Sequence, residues 1–321
     1  MKRFLVKILL YFAPLCVSII LYILFDPWKV IWNYDNYTDI KVNAGYRSYK
    51  LLTANDSIPY NSFIIGSSRS QQYPILEWEN LLADSFMVGF HLDQSGDCIY
   101  GALERLEYVY KCLPEVRHVL LIIDHDFLSG VTSPKGAQFC TPWQMTNEND
   151  FFKFQLTCYR FLFTKKGLEL LFDFGEAKTL LPYYFDERNE PHLVGKEWAL
   201  TCDPEYYYSH LILQDFYKLY PRDTIEKTGK AIISPKCIEL LSQMQILFAK
   251  NKTDYKVVVS PLFDQIKLNP VDKHILDSIF GSENVYDYSG INVYTNDTLN
   301  YYESSHYRPK LAKQIMREVY K

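Results

Sequence analysis

The chain has no CxxC pair, no cluster of lysine and arginine beyond its first few residues, no internal repeat and no low-complexity tract. Each absence removes a class of protein. Without closely spaced cysteines neither a structural zinc site nor a dithiol redox motif is indicated. A net charge of −4 with no basic patch lacks the electrostatic footprint of a nucleic-acid binder. Asp124 and Asp126 stand together without further ligands, too few for a cation site, so neither a metal nor a cofactor is expected. The seven cysteines include six beyond the N-terminal segment, Cys98, Cys112, Cys140, Cys158, Cys202 and Cys237, widely spaced. In an exported protein they allow one or two disulfides, Cys140 with Cys158 or with Cys202 for instance, and spacing leaves the connectivity open. Sequons at Asn36, Asn55, Asn251 and Asn296 matter only in a eukaryotic secretory pathway and are assigned no role.

What is present begins with one long apolar run. Phe4 to Phe25 reads FLVKILLYFAPLCVSIILYILF, the length that spans a bilayer core, and Pro14 is tolerated in such a helix. A cleaved signal peptide would be shorter and end in small residues, whereas this run ends in Ile-Leu-Phe. Bulky Leu15 before Cys16 argues against a lipoprotein signal. Lys2, Arg3 and Lys7 load the N-terminal flank with positive charge, so the expectation is a single-pass anchor over residues 1–25 with the N-terminus cytoplasmic. Residues 26–50 then read as a membrane-proximal stalk, with Trp28 and Trp32 at the interface, and residues 51–321 as an exported domain. The roughly 295 residues beyond the anchor suffice for one elaborated domain with a sizeable core.

Within that domain, β-prone runs recur at Ser62–Ile65, Phe86–Phe90, Val119–Ile123, Lys256–Ser260 and Asn284–Tyr288. Helical spacing separates them: Ile99, Leu103, Leu106 and Val109 before Pro114, and Ile238, Leu241 and Met244 after Pro235. Pro270–Phe280 and Pro309–Tyr320 each open on a first-turn proline. This alternation predicts an α/β fold, a doubly wound, flavodoxin-like parallel sheet of about five strands with its first strand central and its ligand site at the C-terminal strand ends. The rhythm breaks over about 130–230, an aromatic-rich stretch with Trp143, Tyr183-Tyr184-Phe185 and Tyr206-Tyr207-Tyr208. It reads as an insertion, either a lid over the strand ends or an extra structural layer. The 27 tyrosines and 20 phenylalanines fit a core and its rim better than a sugar- or lipid-binding cleft.

Two short motifs carry chemistry. Phe63-Ile64-Ile65 runs directly into Gly66-Ser67-Ser68-Arg69-Ser70, a tight turn that exposes a serine hydroxyl at the sheet mouth, where backbone N–H groups can face an oxyanion. Alone, such a serine more often caps a helix than attacks anything. In Tyr302-Glu303-Ser304-Ser305-His306, however, an acid precedes a histidine by three, close enough to fix the imidazole tautomer and leave its other nitrogen to take a proton from serine. Alone, this too is commonly a surface loop. Flanking one sheet's ligand end, the two motifs together favour catalysis, with Ser67 and Ser68 both open as nucleophile.

With these motifs the chain resembles the SGNH/GDSL hydrolase superfamily, whose Gly-Asp-Ser follows the first strand and whose Asp-x-x-His lies near the C-terminus. Gly66-Ser67-Ser68 looks particularly like its membrane-anchored envelope branch, such as the teichoic-acid D-alanyl transfer proteins and the alginate O-acetyltransferases. The resemblance implies Ser68 as nucleophile, His306 as base and Glu303 in place of the usual aspartate. It implies that Ser68 and Gly96 supply oxyanion N–H groups. The family's asparagine after the third strand is absent; Asp124-His125-Asp126 stands there, and His125 is the residue of that trio able to donate. The expected function is an extracytoplasmic serine esterase or acyltransferase acting on acyl or acetyl esters of an envelope glycan or acylated small molecule. The rival reading is a non-catalytic, glycan-binding or assembly protein of the same fold.

Overall fold

The computed structural model describes residues 2–32, 45, 48, 51–52, 60–133, 141–146, 150–172, 184–211 and 224–321, the side chains of 2–10, 210 and 211 excepted. Most of the expected stalk, parts of the insertion and Cys140 therefore lie outside the described residues. Among the described residues the cysteines are free thiols.

Five strands form one parallel sheet: β1 Ser62–Ile65, β2 Gly89–His91, β3 His118–Ile123, β4 Asp254–Val259 and β5 Val285–Asp287, in the order β2-β1-β3-β4-β5. Side chains alternate between faces with the strand period of two, and here both faces are apolar. Phe63, Ile65, Val119, Leu121, Val257 and Val259 enter one core layer, while Ile64, Leu120, Ile122 and Val258 enter the other. Helices cover both layers, which makes the sheet doubly wound. Helices α2 Ile75–Leu82 and α10 Pro309–Val319 pack on the second layer, and α3 Ile99–Cys112, α8 Pro235–Asn251 and α9 Pro270–Phe280 on the first. A short α4, His125–Ser129, follows β3, capped by the Asp124 carboxylate on the Phe127 N–H at 3.1 Å.

The strand and helix expectations hold to within two residues at their ends, with two larger differences. β1 lies inside the sheet, but the middle strand is β3. The second strand starts at Gly89 rather than Phe86, because Asp84 takes the Phe86 N–H on its side chain at 3.0 Å and the Met87 N–H on its carbonyl at 3.0 Å, a turn that competes with the ladder. No described residue of the insertion joins the sheet. Part of the insertion packs on the sheet, while Gly130, Thr132 and Ser133 at its start stand at the strand ends. Helix α7, Val194–Cys202, and the following turns bury Ala199, Leu200, Tyr207 and Tyr208 in the second layer. Upstream, Asn189 and Arg188 bond both backbone groups of His91, at 2.7 and 3.0 Å, and so close the open edge of β2.

At the N-terminus α1 runs Lys2–Phe25, and the insertion's α5, Phe151–Phe161, followed by α6, Lys165–Phe172, lies against its far end. Trp28 is not presented to a surface; it is fully buried there and donates to the Cys158 carbonyl at 2.9 Å, while Trp32 is half exposed. Among the described residues no helix is long and apolar enough to cross a membrane, and in α1 the side chains are described only from Tyr11 onward.

The β1 turn is built on Gly66. A Cβ there would stand 2.6 Å from the Ile122 carbonyl oxygen and 2.9 Å from Ser70 Cβ. Gly66→Ala must push β1 and β3 apart, so urea unfolding should show a loss of about 1–3 kcal/mol; a variant as stable as the parent would mean that this close approach is relieved at no cost.

Candidate active site

The carboxyl ends of β1 and β3 are neighbours, so the turn after β1 and the loop after β3 must meet. The β1 turn closes on itself, with the Ser67 carbonyl accepting from Ser70 N at 3.1 Å and Ser70 Oγ at 2.6 Å. Successive side chains then diverge. Ser67 is buried and donates to Asp124 Oδ2 at 3.3 Å, whereas the half-buried Ser68 faces a cavity of about 610 Å³.

Glu303 and His306 lie on a hairpin of β6, Tyr301–Glu303, and β7, His306–Tyr307, with Ser304 and Ser305 at its tip. Glu303 is the cross-strand partner of His306, and opposed residues of an antiparallel pair share a face. The spacing of three thus brings acid and base together through a two-residue turn. Glu303 Oε1 bonds His306 Nδ1, and His306 Nε2 stands 2.7 Å from Ser68 Oγ. Burial pushes the Glu303 carboxyl up, but the hydrogen bond from His306 and the charges of His306 and Lys196 together hold it below its ordinary value. An ionised carboxylate on Nδ1 leaves Nε2 as the proton acceptor for the hydroxyl.

The hairpin is held from three sides. Tyr301 donates to the Pro261 carbonyl at 3.0 Å, and Tyr208 of the insertion donates to the Tyr301 carbonyl at 2.6 Å. From α7, Lys196 reaches the second oxygen of Glu303 at 3.6 Å, and Glu197 accepts from Tyr302 at 2.6 Å and from Arg308 Nε at 3.0 Å. From the β1 turn, Arg69 donates to the Ser305 carbonyl at 3.1 Å, to Asp124 at 2.8 Å and to Asp126 at 3.2 Å. Arg69 therefore joins the β1 turn, the β3 end and the loop beside His306.

Opposite the hairpin, Gly96 lines the same cavity in a left-handed conformation, φ 68°. Its loop is secured by the fully buried Arg105 of α3, which donates to the Leu92 carbonyl at 3.0 Å and Gln94 Oε1 at 3.2 Å and pairs with Asp97. Burial pushes Asp97 up to about 6 although Arg105 pulls the other way. The backbone N–H groups of Ser68 and Gly96 meet no acceptor among the described residues, and both residues border the cavity. They can take a developing negative charge on a carbonyl oxygen. His125, the expected side-chain donor, lies elsewhere. It is largely exposed beside Asp126 and lines an adjoining cavity of about 340 Å³ with Ile232, Leu262 and Leu268. Asp124 spends its oxygens on Ser67, Arg69 and Phe127 and has the role of an organising acceptor.

Sequence reasoning singled out the serine, the histidine and the acid but missed Arg69, Lys196 and Glu197. Arg69 stands inside the Gly-Ser-Ser-Arg-Ser motif, next to Ser68; nothing in the sequence points from the insertion to the hairpin. Among the described residues no group of three or more His, Cys, Asp or Glu is arranged to hold a metal ion. In comparisons with known proteins, no family model matches the chain and no curated protein matches it.

Two measurements test this geometry. Because the folded Glu303 is more acidic than the unfolded one, its contribution to stability is fully present above about pH 4.5 and is lost as pH falls through the lower folded value. The stability gap between parent and Glu303→Gln should shrink on acidification from pH 7 to about 3.5; a constant gap would contradict the ionised pair. Arg69→Gln should slow the reaction of Ser68 with an electrophilic probe by about 10- to 100-fold while the affinity for the probe changes little, with partial recovery in Arg69→Lys. An unchanged rate in the glutamine variant would show that the hairpin is positioned without the guanidinium.

Proposed function

We propose that the protein is an extracytoplasmic serine esterase or acyltransferase of SGNH type, acting on acyl or acetyl esters of an envelope glycan. The observation that carries the reading is the continuous relay from Glu303 through His306 to Ser68, with 2.7 Å between imidazole and hydroxyl. Ser68 Oγ attacks the ester carbonyl carbon as its proton passes to His306 Nε2, and the N–H groups of Ser68 and Gly96 hold the oxyanion. The tetrahedral intermediate expels the alcohol, which leaves with the proton from His306, and the acyl group stays on Ser68. Water, or a hydroxyl of an acceptor, then attacks the acyl carbon as its proton passes to His306, and the Ser68 oxygen leaves with that proton, which restores the enzyme. Glu303 orients the imidazole and balances its transient charge. The chemistry uses protein side chains and backbone alone.

The envelope assignment rests on α1. Its 24 residues span about 36 Å at 1.5 Å per residue, and its apolar side chains from Tyr11 to Phe25 are exposed on nearly every side. Such a helix needs a non-aqueous surrounding. With Lys2, Arg3 and Lys7 at its start, the helix is read as a signal anchor that leaves the domain outside the cytoplasm. The Ser68 cavity, about 610 Å³, carries the hydroxyls of Thr132, Ser133 and Ser305 in its lining, which can hydrogen-bond a hydroxylated substrate.

Labelling by a fluorophosphonate and turnover of small acetyl esters, then of acetylated glycans, test the reading on the full chain in detergent. Ser68→Ala and His306→Ala should lose about a thousandfold or more, and Glu303→Gln less. Ser67→Ala should keep substantial activity, since its hydroxyl is spent on Asp124. A Ser68→Ala variant as active as the parent would remove the nucleophile. A parent that neither labels nor turns over any ester would leave the glycan-binding alternative as the better account.

A further inference from the structure

We propose that the first helical pair of the insertion, α5 and α6, is a lipid-facing element lying in the outer leaflet beside α1; this rests on the reading of α1 as a membrane anchor. The first ground is the contact with α1. Tyr159 of α5 hydrogen-bonds Ser18 at 2.6 Å, and Tyr22 donates to Gln155 at 2.7 Å. Ser18 lies seven residues before the end of α1, about 10 Å along the helix axis. A helix touching Ser18 is therefore below the outer end of the apolar run, where the alternative to protein is lipid.

The second ground is what α5 and α6 leave uncovered. The α5 face formed by Phe154, Cys158 and Phe161 is packed toward Trp28. On the opposite face, which also carries Tyr159, helical spacing lines up Phe152, Leu156 and, just past the helix end, Phe163; Phe152 is 82% exposed and Phe163 64%. Phe172 in the last turn of α6 is 68% exposed. Large aromatics do not stay in water on two consecutive helices without reason.

The third ground selects the occupant. The exposed basic residues Lys153 and Arg160 border one side of the apolar stripe on α5, and Lys165 and Lys166 open α6, both within 4 Å of Glu169, the one acid within these helices. Aromatic and leucine residues on one face with lysine and arginine beside them are the pattern of a helix lying in an interface, apolar side in the acyl chains and basic side among anionic headgroups. A protein partner would need no such cationic border.

The test replaces Ile20, Phe152, Phe163 and Glu239, one at a time, with the photocrosslinker p-benzoylphenylalanine in the full chain, reconstituted into phosphatidylcholine and phosphatidylglycerol vesicles whose acyl chains carry an alkyne. Ile20 lies in α1, and Glu239 is an exposed position on α8 at the sheet face. Lipid adducts at residues 20, 152 and 163, at least tenfold above residue 239, are expected. Adducts at residue 20 alone overturn the proposal and leave the anchor standing. Adducts at none of the positions overturn both. Adducts at residue 239 equal to those at 152 overturn it as non-specific labelling. Cooperative thermal unfolding of each variant confirms that it is folded, and the two phenylalanine positions are read independently.

Discussion

One buried carboxylate organises the mouth of the sheet. Asp124, at the end of β3, accepts from the Ser67 hydroxyl, from the Arg69 guanidinium and from the Phe127 N–H. Ser67 points inward to it, and the next side chain of the turn, Ser68, points to His306. Arg69 carries the constraint one step further, because its remaining donors reach the Ser305 carbonyl and Asp126. A guanidinium offers a planar fork of donors, and that geometry lets one side chain fasten three segments at once. Leaving either member of the Asp124–Arg69 pair alone would strand a buried charge, at a cost of about 3–5 kcal/mol where burial is complete. Asp124 is almost fully buried and Arg69 slightly less so.

A second constraint comes from the aromatic residues. A two-stranded hairpin has little stability of its own, and β6 and β7 do not join the main sheet. Tyrosines secure it. Tyr301, Tyr302 and Tyr307 are each fully buried and each places its hydroxyl on a partner, the Pro261 carbonyl, Glu197 and Ser260 respectively. Buried rings supply apolar area and their hydroxyls supply direction. The high tyrosine content thus has a specific use here, which is to hold the acid and base on a short element without adding them to the sheet.

The framework was legible in the sequence because β-strand and helix periods are local properties. Ser62–Ile65 and Pro270–Phe280 were delimited to the residue, since a glycine and prolines punctuate them. Acid and base were legible for the same reason: three residues apart, they could be joined by a single turn. What could not be read was every relation carried by distant contacts. That β3 rather than β1 is the middle strand depends on the crossover to β4, more than a hundred residues later. That Asp124 and Arg69 are partners depends on the β1–β3 register. The expected interfacial Trp28 has the composition of a membrane-surface residue, and only the docking of α5 shows why it is buried. His125 was chosen for its hydrogen-bonding type, but its direction is set by the Asp124 cap, which turns the chain into α4 and carries the imidazole to the adjoining cavity.

The insertion has two physical attachments, and they connect the extremes of the molecule. Its later part, through Lys196, Glu197 and Tyr208, braces the hairpin that carries Glu303 and His306. Its earlier part, through Gln155, Cys158 and Tyr159, grips the end of α1. A catalytic relay tolerates displacements of only a few tenths of an ångström to about one ångström before its rate falls steeply. If α1 is held in a bilayer, a domain tethered by a loose stalk alone would let that surface and the relay move independently. In the proposed reading of α1, the insertion touches both the anchor, through α5, and the hairpin of Glu303 and His306, through α7 and Tyr208. A doubly wound sheet needs only one helix between β3 and β4, and the chain that separates them here supplies, beyond α8, packing against both α1 and the hairpin.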